Sequence, residues 1–283
     1  MNNIEKWADL HIHTLKSDGT YSVREVFEKA KYYGISALSI TDHDTVAASE
    51  EAVLLAEEFN IIYVPGIELS ALHEGKEVHI VALNVDYTDR EFKKKLAYFQ
   101  KKRTERAKKI INRLKDLNVD VSFEELFEYT ENANNAGRLH IAKLLVNKRF
   151  ARNIKDAFEK YLGEGRPAYA PKAKLTVSDA VKMTAGVGGV SILAHPAVLD
   201  EDEMIGEWKK QGLDGLEAFH PDHSCEKAMR YIEIADKHGL LISGGSDCHG
   251  TSKDHTRIGR IKLPYEYFEK IQAVSKKKES ACG

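Results

Sequence analysis

The chain has 283 residues, 30% of them charged, and a formal net charge of −2. That length suits one large domain or a barrel carrying an insertion, and the charge balance gives no global sign of a nucleic-acid-binding or membrane-bound protein. No apolar run reaches the roughly 18 residues of a membrane span, the first residues lack the basic-then-apolar layout of a secretory leader, and Cys225, Cys248 and Cys282 show no paired spacing, so a cytoplasmic protein without a disulfide framework or a Cys-type zinc site is expected.

In chain order, short β-rich runs alternate with helical patterns. A run at 8–13 precedes a helical stretch at 23–33, with Ser22 as N-cap and Gly34 as stop. A run at 37–41, a helix at about 47–59 and a run at 61–65 follow. Helices between these strands imply parallel βαβ units. The next run, 78–83, pairs through a hairpin around Gly75. From 86 to 171 the pattern is mostly helical, and then the alternation resumes with runs at 190–194, 215–219 and 240–243. Seven strand candidates outside the helical stretch predict an α/β barrel, formed by 1–85 and 172–283, interrupted by a helical insertion at 86–171 that caps the site. The Lys-rich tail from 276 is expected to fray.

Polar residues gather where these strands run out. The first strand ends Asp9-Leu-His11-Ile-His13, and alternation along a strand sends both imidazoles to one face. Asp18 follows in the next loop. The second strand ends Thr41-Asp42-His43-Asp44, and Gly66-Ile-Glu68 follows the third. Then come Glu77-Val-His79, Ala194-His195-Pro196 and Ser246-Asp247-Cys248-His249. In a parallel α/β barrel these ends share one rim, where such folds build active sites. His79 fits least well, lying near the start of its strand, unless the hairpin doubles back over the mouth. Six histidines and three carboxylates at one rim are costly as mere packing, and metal cations offset that cost. The set exceeds one metal's ligand shell. Two or three divalent ions are expected, and imidazole with carboxylate suits manganese, zinc or iron. Such sites activate water and clamp phosphoryl oxygens.

These motifs, His11-Ile-His13, Asp18-Gly, Thr41-Asp-His43-Asp, Gly66-Ile-Glu68, His79, Ala194-His195-Pro196 and Ser246-Asp247-Cys-His249, resemble the polymerase and histidinol phosphatase (PHP) family over about 7–259. One departure is Cys248, where an aromatic residue is more usual. The resemblance implies a distorted seven-stranded β/α barrel with three metal sites: His11, His13, Glu68 and Asp247 at one; Glu68, His79 and His195 at a second; Asp18, His43 and His249 at a third. Glu68, Asp247 and His195 are the catalytic candidates, beside an activated water. Ala136-Gly-Arg138-Leu-His140-Ile-Ala and the run from Phe158 to Tyr169 are similar to the subfamily that hydrolyses nucleoside 3′,5′-bisphosphates, some members of which trim RNA from its 5′ end. A related branch opens and hydrolyses a ribose cyclic phosphate.

The resemblance makes Arg138 and His140 phosphate contacts, with Arg166, Tyr169 and Lys172 as further candidates. A single Arg more often makes a surface ion pair. His220 and His223, on the same rim, are candidates for substrate contact or proton transfer. Between Lys93 and Lys115 lie eleven Lys or Arg residues and one acid, Glu105: a solvated helix face that also attracts anionic substrates, a short RNA among them. The leading expectation is phosphate release from a small nucleotide-like substrate, with no membrane and no obligate protein partner. The rivals are a phosphodiesterase on short RNA or a cyclic phosphate, an amide hydrolase, and a non-enzymatic metal-binding domain.

Overall fold

Local chemistry sets the first βα unit. In the computed structural model, which describes residues 5–129, 136–171, 173, 175–252 and 256–282, strand β1 (Trp7–Ile12) leads to helix α1 (Val23–Tyr32). Ser22 caps α1: its hydroxyl accepts the Glu25 N–H while the Glu25 carboxylate accepts the Ser22 N–H, so two amides that the helix cannot bond are satisfied. Gly34 takes the left-handed turn that follows, and β2 (Ile35–Ile40) runs parallel to β1. Helix α2 (Ser49–Phe59) ends on left-handed Asn60, and β3 (Ile62–Tyr63) lies parallel to β2. The alternation of runs anticipated these parallel units.

Strands β4 (Gly66–His73) and β5 (Lys76–Leu83) form the expected antiparallel hairpin. Its turn has positive φ at both Glu74 and Gly75, a geometry that matches strand twist. Glu68 follows the third strand, as the sequence reading had it, and sits inside β4. Helix α3 (Arg90–Asp116), capped by the Asp89 carboxylate on the Phe92 N–H, leads through α4 (Arg138–Asn147) and α5 (Ile154–Ala157). Then come α6 (Val177–Ala185), β6 (Val190–Leu193), α7 (Pro196–Leu199), α8 (Ile205–Lys210), β7 (Gly215–Phe219), α9 (Cys225–His238), β8 (Leu241–Gly244), β9 (Leu263–Pro264) and α10 (Tyr265–Cys282).

The strands form two sheets, ordered β3-β2-β1-β9 and β4-β5-β6-β7-β8. Single bridges, Ile12 to Cys248 and His43 to Glu68, are the backbone pairings where the two sheets meet. Of the expected distorted seven-stranded barrel, the structure shows a mixed α/β fold whose two sheets are not closed. At both junctions the backbones meet at one residue pair rather than along a ladder. Among the described residues no helix is long and apolar enough to cross a membrane.

Helix α3 takes part in two cores. Phe92 and Leu96 pack with β4, β5 and α6, whereas Ala107, Ile110, Ile111 and Leu114 pack with Ile141, Leu144 and Leu145 of α4. The tail that was expected to fray is helical. Phe268 and Ile271 of α10 are buried against Leu10, Val81 and Val190. Lys278 donates to the Asp214 carboxylate at 2.6 Å and to the Gly189 carbonyl at 3.0 Å. Because that pair is part-exposed, Lys278→Ala is expected to lower unfolding free energy by about 0.5–1 kcal/mol. An unchanged urea midpoint would show that this end of the helix adds nothing.

Candidate metal centre

The sheet arrangement explains why residues far apart in sequence meet. β1, β2, β6, β7 and β8 are linked by parallel pairings within their sheets, and their C-terminal ends carry His11 and His13, His43, His195, Glu217 and His220, and Asp247 and His249. His79 lies early in β5, but β5 is antiparallel to β6, with Ile80 opposite Leu193. Its early residues therefore stand at the same rim as the ends of its neighbours. The hairpin accounts for the one ligand whose strand position did not fit.

Glu68, 1% exposed, occupies the middle. One oxygen lies 2.8 Å from His79 Nδ1 and 3.2 Å from His195 Nε2. The other lies 3.1 Å from His13 Nε2, 3.2 Å from His43 Nδ1 and 3.3 Å from His11 Nε2. Asp247 Oδ1 is 3.1 Å from His13 Nε2 and 3.4 Å from His11 Nε2. Asp18 faces His249 at 3.5 Å, His13 at 3.6 Å and His43 at 3.8 Å. All nine expected ligand residues thus converge. Three ligand groups form within the pit: His13, Asp18, His43 and His249; His11, His13 and Glu68; and His43, Glu68 and His79.

The donor set fits divalent cations. His13 Nδ1, His43 Nδ1, His79 Nδ1 and Glu68 Oε2 are buried without a hydrogen-bond partner. Such groups are expensive to bury unsatisfied, and the nitrogen and oxygen donors suit borderline or hard metals. Burial pushes the Glu68 carboxyl up, but His43, His79 and His11 hold it well below the usual carboxylate range. Burial works against protonation of His13, yet Asp247 and Glu68 raise its pKa to about 10, while burial drives His43 down to about 3. Cations and protons therefore compete for the same nitrogens.

Behind this ring stands a second set of polar groups. Glu217, wholly buried in the apolar run of β7, accepts His11 Nδ1–H at 2.9 Å and the His195 backbone N–H at 2.8 Å. Its first contact fixes the tautomer of His11 and turns an Nε2 lone pair into the pit. Asp42 accepts the Thr14 N–H and hydroxyl and the Ser17 hydroxyl, tying the loop before Asp18 to the end of β2. Asp44 accepts the Ser70 N–H and pairs with Arg103 of α3. The sequence reading assigned no role to Glu217, although a carboxylate between Leu216 and Ala218 in a buried strand was a signal. Asp42 and Asp44 lay within a quoted motif but were passed over.

One cavity of about 340 Å³ opens on the pit and is lined on its other wall by Arg103, Arg106, Arg138 and His140. Arg138 and His140 thus reach it, as does His220. Arg138 donates to the Glu77 carboxylate at 3.2 Å. His140 is buried. Its Nδ1 accepts the Gly137 N–H at 3.0 Å, and burial lowers its pKa to about 4, so the ring is neutral with its proton on Nε2. Arg166, Tyr169 and His223 do not line the cavity. Arg166 is exposed in a turn whose carbonyl accepts the Tyr169 N–H, and His223 donates its Nδ1–H to the Ala218 carbonyl. Lys172 lies outside the described residues.

A mixed α/β fold that brings this many imidazoles and carboxylates to its strand ends defines a metal-dependent hydrolase. The chain belongs to the PHP family, whose PHP domain pattern matches residues 9–167. It is 29% identical over 259 residues, 90% of this chain and 91% of the relative, to a 3′,5′-nucleoside bisphosphate phosphatase of Chromobacterium violaceum. It is 30% identical over 252 residues, 86% of this chain and 90% of the relative, to a 5′-3′ exoribonuclease of Haemophilus influenzae. A solved structure from Bifidobacterium adolescentis, described as a metal-dependent phosphoesterase, matches with a TM-score of 0.85 at 28% identity, covering 95% of this chain and 96% of the other. The protein is accordingly a phosphoesterase of this family.

Gly245 tests how tightly the pit is built. A Cβ there would lie 2.4 Å from the His11 backbone nitrogen and 2.5 Å from its Cβ, so β1 would have to move. Gly245→Ala is expected to lower bound metal per chain while the far-ultraviolet circular dichroism stays native. Full metal content in that variant would show that His11 tolerates displacement.

Proposed function

We propose that the protein removes the 3′-phosphate of nucleoside 3′,5′-bisphosphates with the help of two to three divalent cations, manganese, zinc or iron. The observation that supports this most is one small-molecule-sized cavity with a metal-suited pit on one wall and guanidinium and imidazole donors on the other. The relative from Chromobacterium violaceum, matched along nearly its whole length, points the same way. In this reading His11, His13, Glu68 and Asp247 hold one cation, Glu68, His79 and His195 a second, and Asp18, His43 and His249 a third. Bound there, the cations supply Lewis acidity toward the phosphoryl oxygens and lower the pKa of water.

The chain's own residues do the rest. Glu68 touches imidazoles from β1, β5 and the loops after β2 and β6, so it sets the spacing of the ligand groups. Asp247, shared by His11 and His13, holds the opposite side. His195 and Glu68 keep the reacting phosphate's edge of the pit polar. Neutral His140 presents its Nε2–H as a hydrogen-bond donor without adding charge. Residues 86–171 act as a cap: α3 and the start of α4 form the wall facing the metals and admit a mononucleotide-sized ligand. The second reading, trimming of short RNA from its 5′ end, draws support from the basic run on α3 and from the Haemophilus influenzae relative.

The deciding assay is phosphate release by purified protein with manganese, comparing nucleoside 3′,5′-bisphosphates with short 5′-phosphorylated RNA. Free phosphate from the bisphosphate, with RNA poorly cleaved, is expected; mononucleotide release from RNA as the faster reaction overturns the assignment. Elemental analysis is expected to find two to three transition-metal ions per chain, and less than one after incubation with manganese would sink the polynuclear reading. Glu68→Ala and Asp247→Ala should each lower kcat at least about a hundredfold, the scale for removing a group that holds transition-state charge. Near-normal kcat in either variant would show that the site has been misassigned.

A further inference from the structure

The loop after β2 carries His43 and, next to it, Asp44, whose N–H, carbonyl and both carboxylate oxygens are all engaged. Asp44 is 5% exposed and left-handed, with φ of 53°. Its N–H donates to the Glu68 carbonyl at 3.0 Å, and one carboxylate oxygen accepts the Ser70 N–H at 2.9 Å, so two of these contacts go to β4. Two more go to α3: the carbonyl accepts a Gln100 side-chain N–H at 3.0 Å, and the second carboxylate oxygen pairs with Arg103. Arg103 closes the set by donating to the Ser70 hydroxyl at 3.2 Å.

His43 is tied to this hub by one peptide bond. Its Nδ1 lies 3.2 Å from Glu68 and its Nε2 lies 3.8 Å from Asp18. A left-handed backbone at an aspartate persists when its surroundings over-determine it, and here they come from two parts of the molecule. One is β4, which bears Glu68 itself. The other is α3, whose Phe99, Lys102, Arg103 and Arg106 line the cavity. Gln100 and Arg103 stand three residues apart and so share one face of that helix. Asp18 and His249 are placed by contacts of other origin. Asp42 holds the loop before Asp18, and His249 Nδ1 bonds the Asp247 carbonyl. Within the group of Asp18, His43 and His249, the side chain braced through Asp44 by α3 is His43.

We propose that Asp44 and Arg103 form a brace through which α3, the helix facing the cavity, controls how tightly a cation is held by Asp18, His43 and His249. This rests on the ligand grouping proposed above. It makes Arg103 a positioning residue that acts through Asp44 on His43. Coupling of this kind is reciprocal, so a cation at His43 also steadies α3. In the sequence Arg103 belongs to a basic run and Asp44 closes a motif, with nothing to join them. The brace arises because β4 brings Ser70 within reach of both.

The test uses the whole protein loaded with manganese and has two arms. In the first, the protein is equilibrated against a graded chelator and the metal retained is measured by elemental analysis. Arg103→Met is expected to release a single cation per chain more readily than wild type, its affinity weakened about 10–100-fold, the range for removing a group that supports a ligand. The remaining cations should be retained as in wild type, and Arg103→Lys should recover most of the loss. In the second arm, manganese is expected to slow amide hydrogen exchange in the part of α3 around Gln100 and Arg103 in wild type, and to do so much less in Arg103→Met. Wild-type retention together with a wild-type exchange response overturns the proposal. Equal weakening of every cation also overturns it, since that marks a general loosening of the fold. Weaker substrate affinity with unchanged metal retention assigns Arg103 to the substrate and refutes the brace. If Arg103→Met fails to fold, Asp44→Asn decides, because it keeps the shape of the residue and removes the ion pair; wild-type retention in it refutes the brace. Wild-type protein that takes up no cation would overturn the metal reading and the brace with it, whereas normal loading of wild type and variants alike sinks the brace alone.

Discussion

One buried carboxylate organises this protein. Glu68 is almost fully enclosed and has imidazole nitrogens of five histidines within 3.3 Å. An isolated ionised carboxylate in such a place would cost several kcal/mol. The surrounding rings offset part of that and hold the group ionised. Five imidazoles around one carboxylate leave buried ring nitrogens without a hydrogen-bond partner, an arrangement suited to divalent cations. The hairpin exists in service of this point: it places Glu68 on one strand and His79 two places along on the next, where Ser70 faces it.

The backbone accepts strain to keep the ligands pointing inward. His195 and Asp247 both adopt positive φ, at 31° and 46°, and Asp44 beside His43 does so at 53°. Conformations of this kind cost about 1–3 kcal/mol each in non-glycine residues and persist when their surroundings over-determine them. The surroundings are visible: Glu217 bonds the His195 N–H, the Asp44 carboxylate accepts the Ser70 N–H and holds Arg103, and Gly245 lets β8 approach β1 closer than any side chain allows. Helix α3 enters this network through Arg103, and Gln100 donates to the Asp44 carbonyl. The helix that walls the cavity is therefore also a support of the loop bearing His43.

Relatives that share about this much sequence with the chain carry different activities in their names, a phosphatase and an exoribonuclease. Residues of α3 and α4 line the cavity, and behind them one core packs without contribution from the sheets. That core packs helix on helix, while Arg103 and Gln100 of the same α3 hold Asp44 beside His43, so the cavity wall and the ring of imidazoles are coupled.

The sequence by itself determined which imidazoles and carboxylates converge, because residues suited to metal binding are of particular types and stand at strand ends that periodicity reveals: His11 and His13 two apart on a strand, Asp247 and His249 two apart beyond another. It determined the parallel units, the Ser22 cap and the Gly75 hairpin for the same reason, since each is local chemistry. It misjudged what depends on distant partners. The Lys-rich tail read as frayed because only the folded sheet supplies Asp214 and Gly189 for Lys278. Whether the strands close into the expected distorted barrel depends on how two sheet edges meet, which no single strand records. The Glu77 partner of Arg138 and the tether of Arg106 to the Ala170 carbonyl are visible only in the folded chain. Charge and hydrogen-bonding capacity belong to the residue, but whether that capacity is already spent is decided by neighbours that only the tertiary structure brings within reach.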